Sequence, residues 1–157
     1  MSVYFLDTSV LVKRYLTETG SSWVRSLTET ENGEAIAVVE ITRVAAAAAI
    51  AARQRAPGGI SRQERDDIVA LLLKHFDEDY QVTSLTPPMI GHAVALTQNH
   101  RLRGYDAIQL AAALAVNKTL RQNDLASLTF VAADEDLLTA AQAEGLAAIN
   151  PHNQVEA

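Results

Sequence analysis

The chain has 157 residues, 48% of them hydrophobic and 20% charged, the composition of one ordinary globular domain spanning 1–157. It contains no cysteine, which excludes disulfide frameworks, thiolate metal centres and cysteine nucleophiles. The formal net charge of -6 removes any whole-molecule attraction to a polyanion, so nucleic acid must be held by a local basic patch or through a cation.

The run Met1 to Asp7 has no basic region and meets a carboxylate before an apolar signal segment can form. The longest apolar stretch, Val44 to Ala52, is too short to cross a bilayer. A soluble, cytoplasmic protein without membrane association is expected. Val3-Tyr4-Phe5-Leu6 is a β-branched and aromatic run with no helical period, predicting a buried strand that ends at Asp7. Thr8 or Ser9 is expected to cap a helix starting near Val10, with Gly20 at its end or in a turn. A short helix over Ser21 to Thr28 offers Trp23, Val24 and Leu27 as its apolar face, and Asn32-Gly33 signals a turn.

Ala35 to Val38 reads as a second strand, or as the approach to the next helix. From about Val39 to Arg55 the chain is alanine-rich, and alanine forms helix best because it loses no side-chain rotamer entropy. Pro57-Gly58-Gly59 stops that helix, and Ser61 with Glu64 forms a capping box that opens another. That helix carries Ile68, Leu71, Leu72 and Phe76 on one face. Tyr80 to Leu85 alternates as a strand does, and Thr86-Pro87 is an N-cap and N1 pair for a helix to about His100. Gly104 to Leu120 is a further helix, Leu128 to Ala132 a strand, Asp134 to Ala143 a helix, and Ala147 to Ile149 a last strand. Strands separated by helices pair in parallel through right-handed crossovers, which predicts a three-layer α/β/α sandwich around a short parallel sheet.

In such sheets ligands bind beyond the carboxyl ends of the strands. Asp7 closes the first strand, Glu40 follows the second, and Asp134 follows the fourth with Asp136 two residues on. Asp106 stands at the start of a helix. Acids drawn from four segments thus converge on one edge of the sheet. Packed carboxylates raise one another's pKa, and an all-oxygen set without cysteine or nearby histidine suits Mg2+ or Mn2+ rather than zinc. Each acid also has a plainer reading. Asp7 and Asp134 are natural helix caps, Glu40 can pair with Arg43 three residues on, and Asp106 and Asp136 suit the first turn of a helix.

These residues carry a resemblance. Phe5-Leu6-Asp7-Thr8-Ser9-Val10-Leu11, Val39-Glu40-Ile41-Thr42-Arg43, Gly104-Tyr105-Asp106-Ala107-Ile108 and Phe130-Val131-Ala132-Ala133-Asp134-Glu135-Asp136 resemble, in order, the acidic motifs of PIN-domain ribonucleases of the VapC toxin type. The likeness runs along essentially the whole chain. It implies an acidic site of Asp7, Glu40, Asp106 and Asp134, with Asp7 and Asp106 the most direct metal ligands and Glu40 and Asp134 completing the set. Ser9 matches a hydroxyl that supports the first acid, Thr8 is its neighbour, and Asp136 is a second choice for the fourth acid.

The implied activity is Mg2+- or Mn2+-dependent endonucleolytic cleavage of RNA, in which a metal-activated water attacks phosphorus in line. The implied partners are an RNA substrate, a cognate antitoxin protein and a second copy of the chain. Lys13, Arg14, Arg101 and Arg103 lie near the first and third acidic motifs and are the candidate RNA contacts. Arg53, Arg55, Arg62 and Arg65 gather around the Pro57 turn and offer a second basic face. Aromatics are scarce at 5%, with Tyr105 beside Asp106 the one candidate for base stacking.

Three other readings compete. A non-catalytic module of the same fold would keep the acids and work through protein contacts. A phosphoryl-transfer domain of the hydrolase kind wants an Asp where Ser9 stands, and a receiver wants a late lysine, yet no lysine or arginine follows Arg121. A DNA-directed nuclease of this fold usually carries extra helices, for which the chain has little room.

Overall fold

The computed structural model describes residues 2–29 and 33–154; Asn32 of the expected Asn32-Gly33 turn lies outside them. Five parallel strands form one sheet: β1 (Val3–Leu6), β2 (Ala35–Val39), β3 (Gln81–Thr83), β4 (Thr129–Val131) and β5 (Ala147–Ile149), in the spatial order β3-β2-β1-β4-β5. The helices between them are α1 (Thr8–Tyr15), α2 (Ser21–Thr28), α3 (Thr42–Arg55), α4 (Arg62–Glu78), α5 (Pro87–Asn99), α6 (Gly104–Gln122) and α7 (Glu135–Ala143). The expected α/β/α sandwich is the observed architecture.

Side chains along a strand alternate between the faces of a sheet. Phe5, Ala37, Val39 and Phe130 therefore pack into one apolar cluster with the helix residues Leu96, Leu110 and Leu137. Leu6, Ile36, Val38 and Val131 point the other way, into a cluster with Leu11, Val24, Ile50 and Leu72. Both faces are covered, which is why β1 and β2 read as continuous apolar runs, while the edge strand β3 alternates. Helices α1 to α4 cover one face and α5 to α7 the other.

The order of the strands has a consequence for function. The chain leaves β1 toward β2 on one side of the sheet and leaves β4 toward β5 on the other. The connections after these two adjacent strands diverge to opposite faces, opening the crevice at which open α/β sheets bind ligands. Register supports it: Leu6 pairs with Val131, so β1 and β4 end level and Asp7 N–H donates to the Val131 carbonyl at 3.1 Å.

Several boundaries differ from the sequence expectation. The alanine-rich helix starts at Thr42 instead of Val39, because Val38 and Val39 are fully buried and pair with Val82 and Thr83. The strand expected over Tyr80 to Leu85 is confined to Gln81–Thr83, since Tyr80 N–H still bonds the α4 carbonyl of His75 and Leu85 N–H turns aside to a carboxylate. Leu71 is 46% exposed, and the buried stripe of α4 is Leu72 and Phe76. The capping box of Ser61 and Glu64 and the Thr86 cap with Pro87 at N1 form as expected.

Phe130 is fully buried in the middle of the sheet, its ring stacked on Phe5 with centroids 5.9 Å apart and planes at 14°. Replacing it by Ala removes that contact and leaves a cavity where two strands meet. Phe130→Ala should destabilise the fold by about 3–5 kcal/mol in equilibrium urea unfolding, with an unchanged denaturant slope.

Candidate active site

Asp7 follows the last residue of β1 and is the N-cap of α1; its Oδ1 accepts the Val10 N–H at 3.1 Å and the Ser9 hydroxyl at 2.9 Å. The cap expected at Thr8 or Ser9 is thus one position earlier. An aspartate at N-cap satisfies an otherwise unpaired helix donor and meets the positive end of the helix dipole. Asp7 Oδ2 takes no hydrogen bond from the described residues. The side chain is 4% exposed, and burial pushes its pKa up to about 6 against the opposing bonds from Ser9 and Val10, with Asp106 and Asp134 adding repulsion.

Asp134 repeats this device three residues after β4. It caps α7, with Oδ1 accepting the Leu137 N–H at 2.9 Å. Asp106 lies in the first turn of α6 and accepts no hydrogen bond among the described residues. Its pKa is raised by burial and by the nearby Asp134 charge, while Arg103 pulls it down. Asp7, Asp106 and Asp134 line one cleft of about 440 Å3 with Thr8, Ser9 and Arg103. The plain reading of Asp7 and Asp134 as caps and the reading as site residues hold together, since one carboxylate oxygen serves the helix.

Glu40 stands apart from these three. Its N–H donates to Thr83 O and its Oε1 accepts the Leu85 N–H at 2.9 Å, so it ties the end of β2 to the segment after β3. It borders a separate shallow recess with Ile41, Arg43, Val44 and Leu85. Glu40 is not among the residues that line the cleft, whereas Ala45 and Ala49 of α3 are. Nor does Glu40 pair with Arg43, whose guanidinium sits 5.0 Å from the centroid of the Phe76 ring. Asp136 is likewise not among the lining residues; it lies 3.8 Å from the exposed Arg101.

The basic residues divide as well. Lys13 is buried at 5% exposure and its Nζ bonds Glu18 Oε1 at 2.9 Å. Arg14 donates to the Tyr80 hydroxyl at 2.7 Å and stacks over Tyr15 and Tyr80. Arg103 lines the cleft, and Arg101 is 92% exposed beside it in sequence. Around the Pro57 turn Arg53 reaches Glu18 and Arg65 reaches Asp66. Tyr105 lines the cleft, and its hydroxyl bonds Thr8 Oγ1 at 2.8 Å and receives Gln109 Nε2 at 3.0 Å.

Sequence reasoning missed two members of this region. Glu18 lines the cleft with the aspartates, and Gln109 is fully buried and bonded to Tyr105. Glu18 lies in the segment after α1, where no periodicity marks it. Gln109, amid an alanine- and leucine-rich run, was the detectable anomaly.

Like-charged, partly desolvated carboxylates around a cleft, two of them with an oxygen left over, are a donor set suited to a hard divalent cation. Among the described residues no three acidic or histidine side chains are gathered tightly enough to hold an ion between them, so the acids frame the cleft without closing on one point.

An α/β sheet with an acidic cleft at its switch point defines a class that the comparisons specify. The PIN domain family model matches residues 4–143, and the chain belongs to the PIN-domain family. Within it the kinship is with VapC-type proteins: ribonucleases VapC45 and VapC49 of Mycobacterium tuberculosis are 34% identical over 118 residues, 74% of this chain and 78% of theirs. The fold is shared with VapBC2 from Rickettsia felis, solved on a promoter DNA fragment (TM-score 0.61, 13% identity, 94% of this chain and 98% of that one). It is also shared with FitAB on the IR36 DNA fragment (TM-score 0.61, 15% identity, 97% of both chains). This kinship supports a nuclease of the hydrolase class. No helix among the described residues is long and apolar enough to cross a membrane.

The raised pKa of Asp7 has a measurable sign. The folded chain holds this proton more tightly than the unfolded chain, so the ionised group opposes folding above about pH 6 and that penalty vanishes as pH falls toward 3.8. In chelator-treated protein at pH 7.5, Asp7→Asn should be more stable than wild type by on the order of 2–3 kcal/mol, because Asn caps equally well without the charge. The difference should shrink steadily in urea titrations repeated down to pH 4.5; a constant difference would contradict the burial argument.

Proposed function

We propose that the protein is a divalent-metal-dependent endoribonuclease, the toxin of a toxin–antitoxin pair, acting at the Asp7–Asp106–Asp134 cleft. The observation that carries the reading is the burial of Asp7 beside two further carboxylates where β1 and β4 end. Asp7 and Asp106 are the proposed direct ligands of Mg2+, with Mn2+ able to substitute, and Asp134 completes the set. When bound, such an ion supplies charge neutralisation and an activated water for phosphodiester hydrolysis.

The chain's own residues do the rest. Ser9 and the α1 amide fix Asp7 Oδ1, which orients Oδ2 toward the cleft. Arg103 is the proposed phosphate contact within the cleft and Arg101 a contact at its rim. Lys13 is assigned instead to holding Glu18 in place, and Glu40 to bracing the sheet edge. Kinship with VapC ribonucleases supports RNA as substrate, and the likeness to toxin–antitoxin complexes, one from Klebsiella pneumoniae among them, supports a cognate antitoxin as partner. A homodimer and a cytoplasmic location complete the proposal.

The test is cleavage of total cellular RNA by protein purified under denaturing conditions and refolded, which strips any bound inhibitor. Discrete fragments are expected with Mg2+ or Mn2+, none with EDTA, and none from Asp7→Asn/Asp106→Asn. Cleavage indifferent to chelator would remove the metal, and absence of cleavage in every condition would favour a binding module. Arg103→Gln should weaken RNA binding and lower the salt dependence of log K by about one unit, read from filter binding at several salt concentrations.

A further inference from the structure

Behind the cleft runs a chain of hydrogen bonds that the acidic site alone does not require. Gln109 on α6 is fully buried, and its Nε2 donates to Thr42 Oγ1 at 2.9 Å and to the Tyr105 hydroxyl at 3.0 Å. The Tyr105 hydroxyl in turn shares a hydrogen bond with Thr8 Oγ1 at 2.8 Å. Thr42, also fully buried, is the first residue of α3. Three helices are thereby pinned to one another at the ends that face the cleft.

Two features set this chain apart from ordinary core packing. First, the Gln109 Oε1 is buried and accepts no hydrogen bond among the described residues. An unpaired buried carbonyl is costly, and a leucine in its place would avoid that cost. The amide is therefore explained by its two N–H bonds and not by filling space. Second, the members of the chain are neighbours of the acids. Thr8 directly follows Asp7, and Tyr105 directly precedes Asp106. A bond between Thr8 and Tyr105 sets how far apart the backbones carrying those two carboxylates lie.

We infer that Thr8, Tyr105 and Gln109 form a clasp that fixes the spacing of Asp7 and Asp106, with Gln109 and Tyr105 acting as positioning residues for a divalent cation. The inference rests on the metal reading of the cleft given above. Asp7 and Asp106 repel each other, so without a tie between their helices the cleft would relax toward a wider spacing. The clasp resists that relaxation in the free protein and so lowers the reorganisation needed when an ion binds. Groups that orient metal ligands without touching the ion commonly change its affinity by 10–100-fold.

Tyr105→Phe is the sharpest probe, because it keeps the ring and removes only the shared hydroxyl. Calorimetric titration of Mn2+ into RNA-free protein should show binding about tenfold weaker than wild type. Thr8→Val should match it, and Thr8→Ser should recover wild-type affinity because its hydroxyl survives. The double variant Tyr105→Phe/Thr8→Val should be no weaker than Tyr105→Phe alone, since losing the Tyr105 hydroxyl already breaks the bond that Thr8→Val removes. Thermal unfolding without metal should change little in these variants, which separates positioning from loss of fold. Gln109→Met, close in shape, should give a weaker form of the same defect. Wild-type binding with undiminished affinity in Tyr105→Phe and Thr8→Val would overturn the clasp alone. Multiplying effects in the double variant would also overturn it, by showing two independent contacts. A wild type that binds no Mn2+ would overturn the metal reading of the cleft, and this inference with it.

Discussion

A carboxylate that is almost entirely removed from water sits at the end of the central strand, and the rest of the site is arranged around it. Desolvation works against the ionised form of Asp7 more strongly than any other influence on it. What keeps the position tolerable is local: a hydroxyl from Ser9, an amide from Val10, and the positive end of α1. The same residue extends the β1–β4 ladder through its own N–H to Val131. Moving Asp7 would therefore disturb the sheet, the helix start and the cleft together.

The cleft is electrically divided. Among the described residues lining the cleft, Arg103 is the cation beside the aspartates, and it pulls down the pKa of Asp106. Glu18, which also lines the cleft, is held between Lys13 and Arg53, so its charge is already compensated. Under the proposed function, the counter-charge for a phosphate would enter with the ion, beside Arg103 in the cleft and the exposed Arg101.

The strand and helix order was legible because both faces of the central sheet are buried, which turns β1 and β4 into apolar runs, Val3 to Leu6 and Leu128 to Ala132, while the edge strand β3 showed only as an alternation. The sequence carried Asp7, Asp106 and Asp134 because each is anchored to the start of a helix, where a carboxylate has a local physical reason to stand. Glu40 was harder. It follows a strand as the others do, but β2 lies beyond β1 from the switch point, and its end is bound to β3 rather than open to the crevice. Lys13 and Arg14 stand next to an acidic motif and look like substrate contacts, whereas on the two-turn α1 their charged groups bond Glu18 and the Tyr80 hydroxyl. Charge in a sequence does not reveal its partner when that partner is Glu18 or Tyr80 from another element.

The alanines of α3 complete the argument. Their helix propensity was legible, but their placement shows a second use. Ala45 and Ala49 lie one turn apart on the wall of the cleft that faces the aspartates. A methyl group is the smallest side chain that sustains a helix without the backbone freedom of glycine. The wall can thus approach the sheet closely, allowing Thr42 to reach Gln109, while leaving open volume beside the carboxylates. Larger residues at those two positions would force a choice between filling the cleft and separating α3 from α6, and the hydrogen-bonded chain through Tyr105 depends on avoiding both.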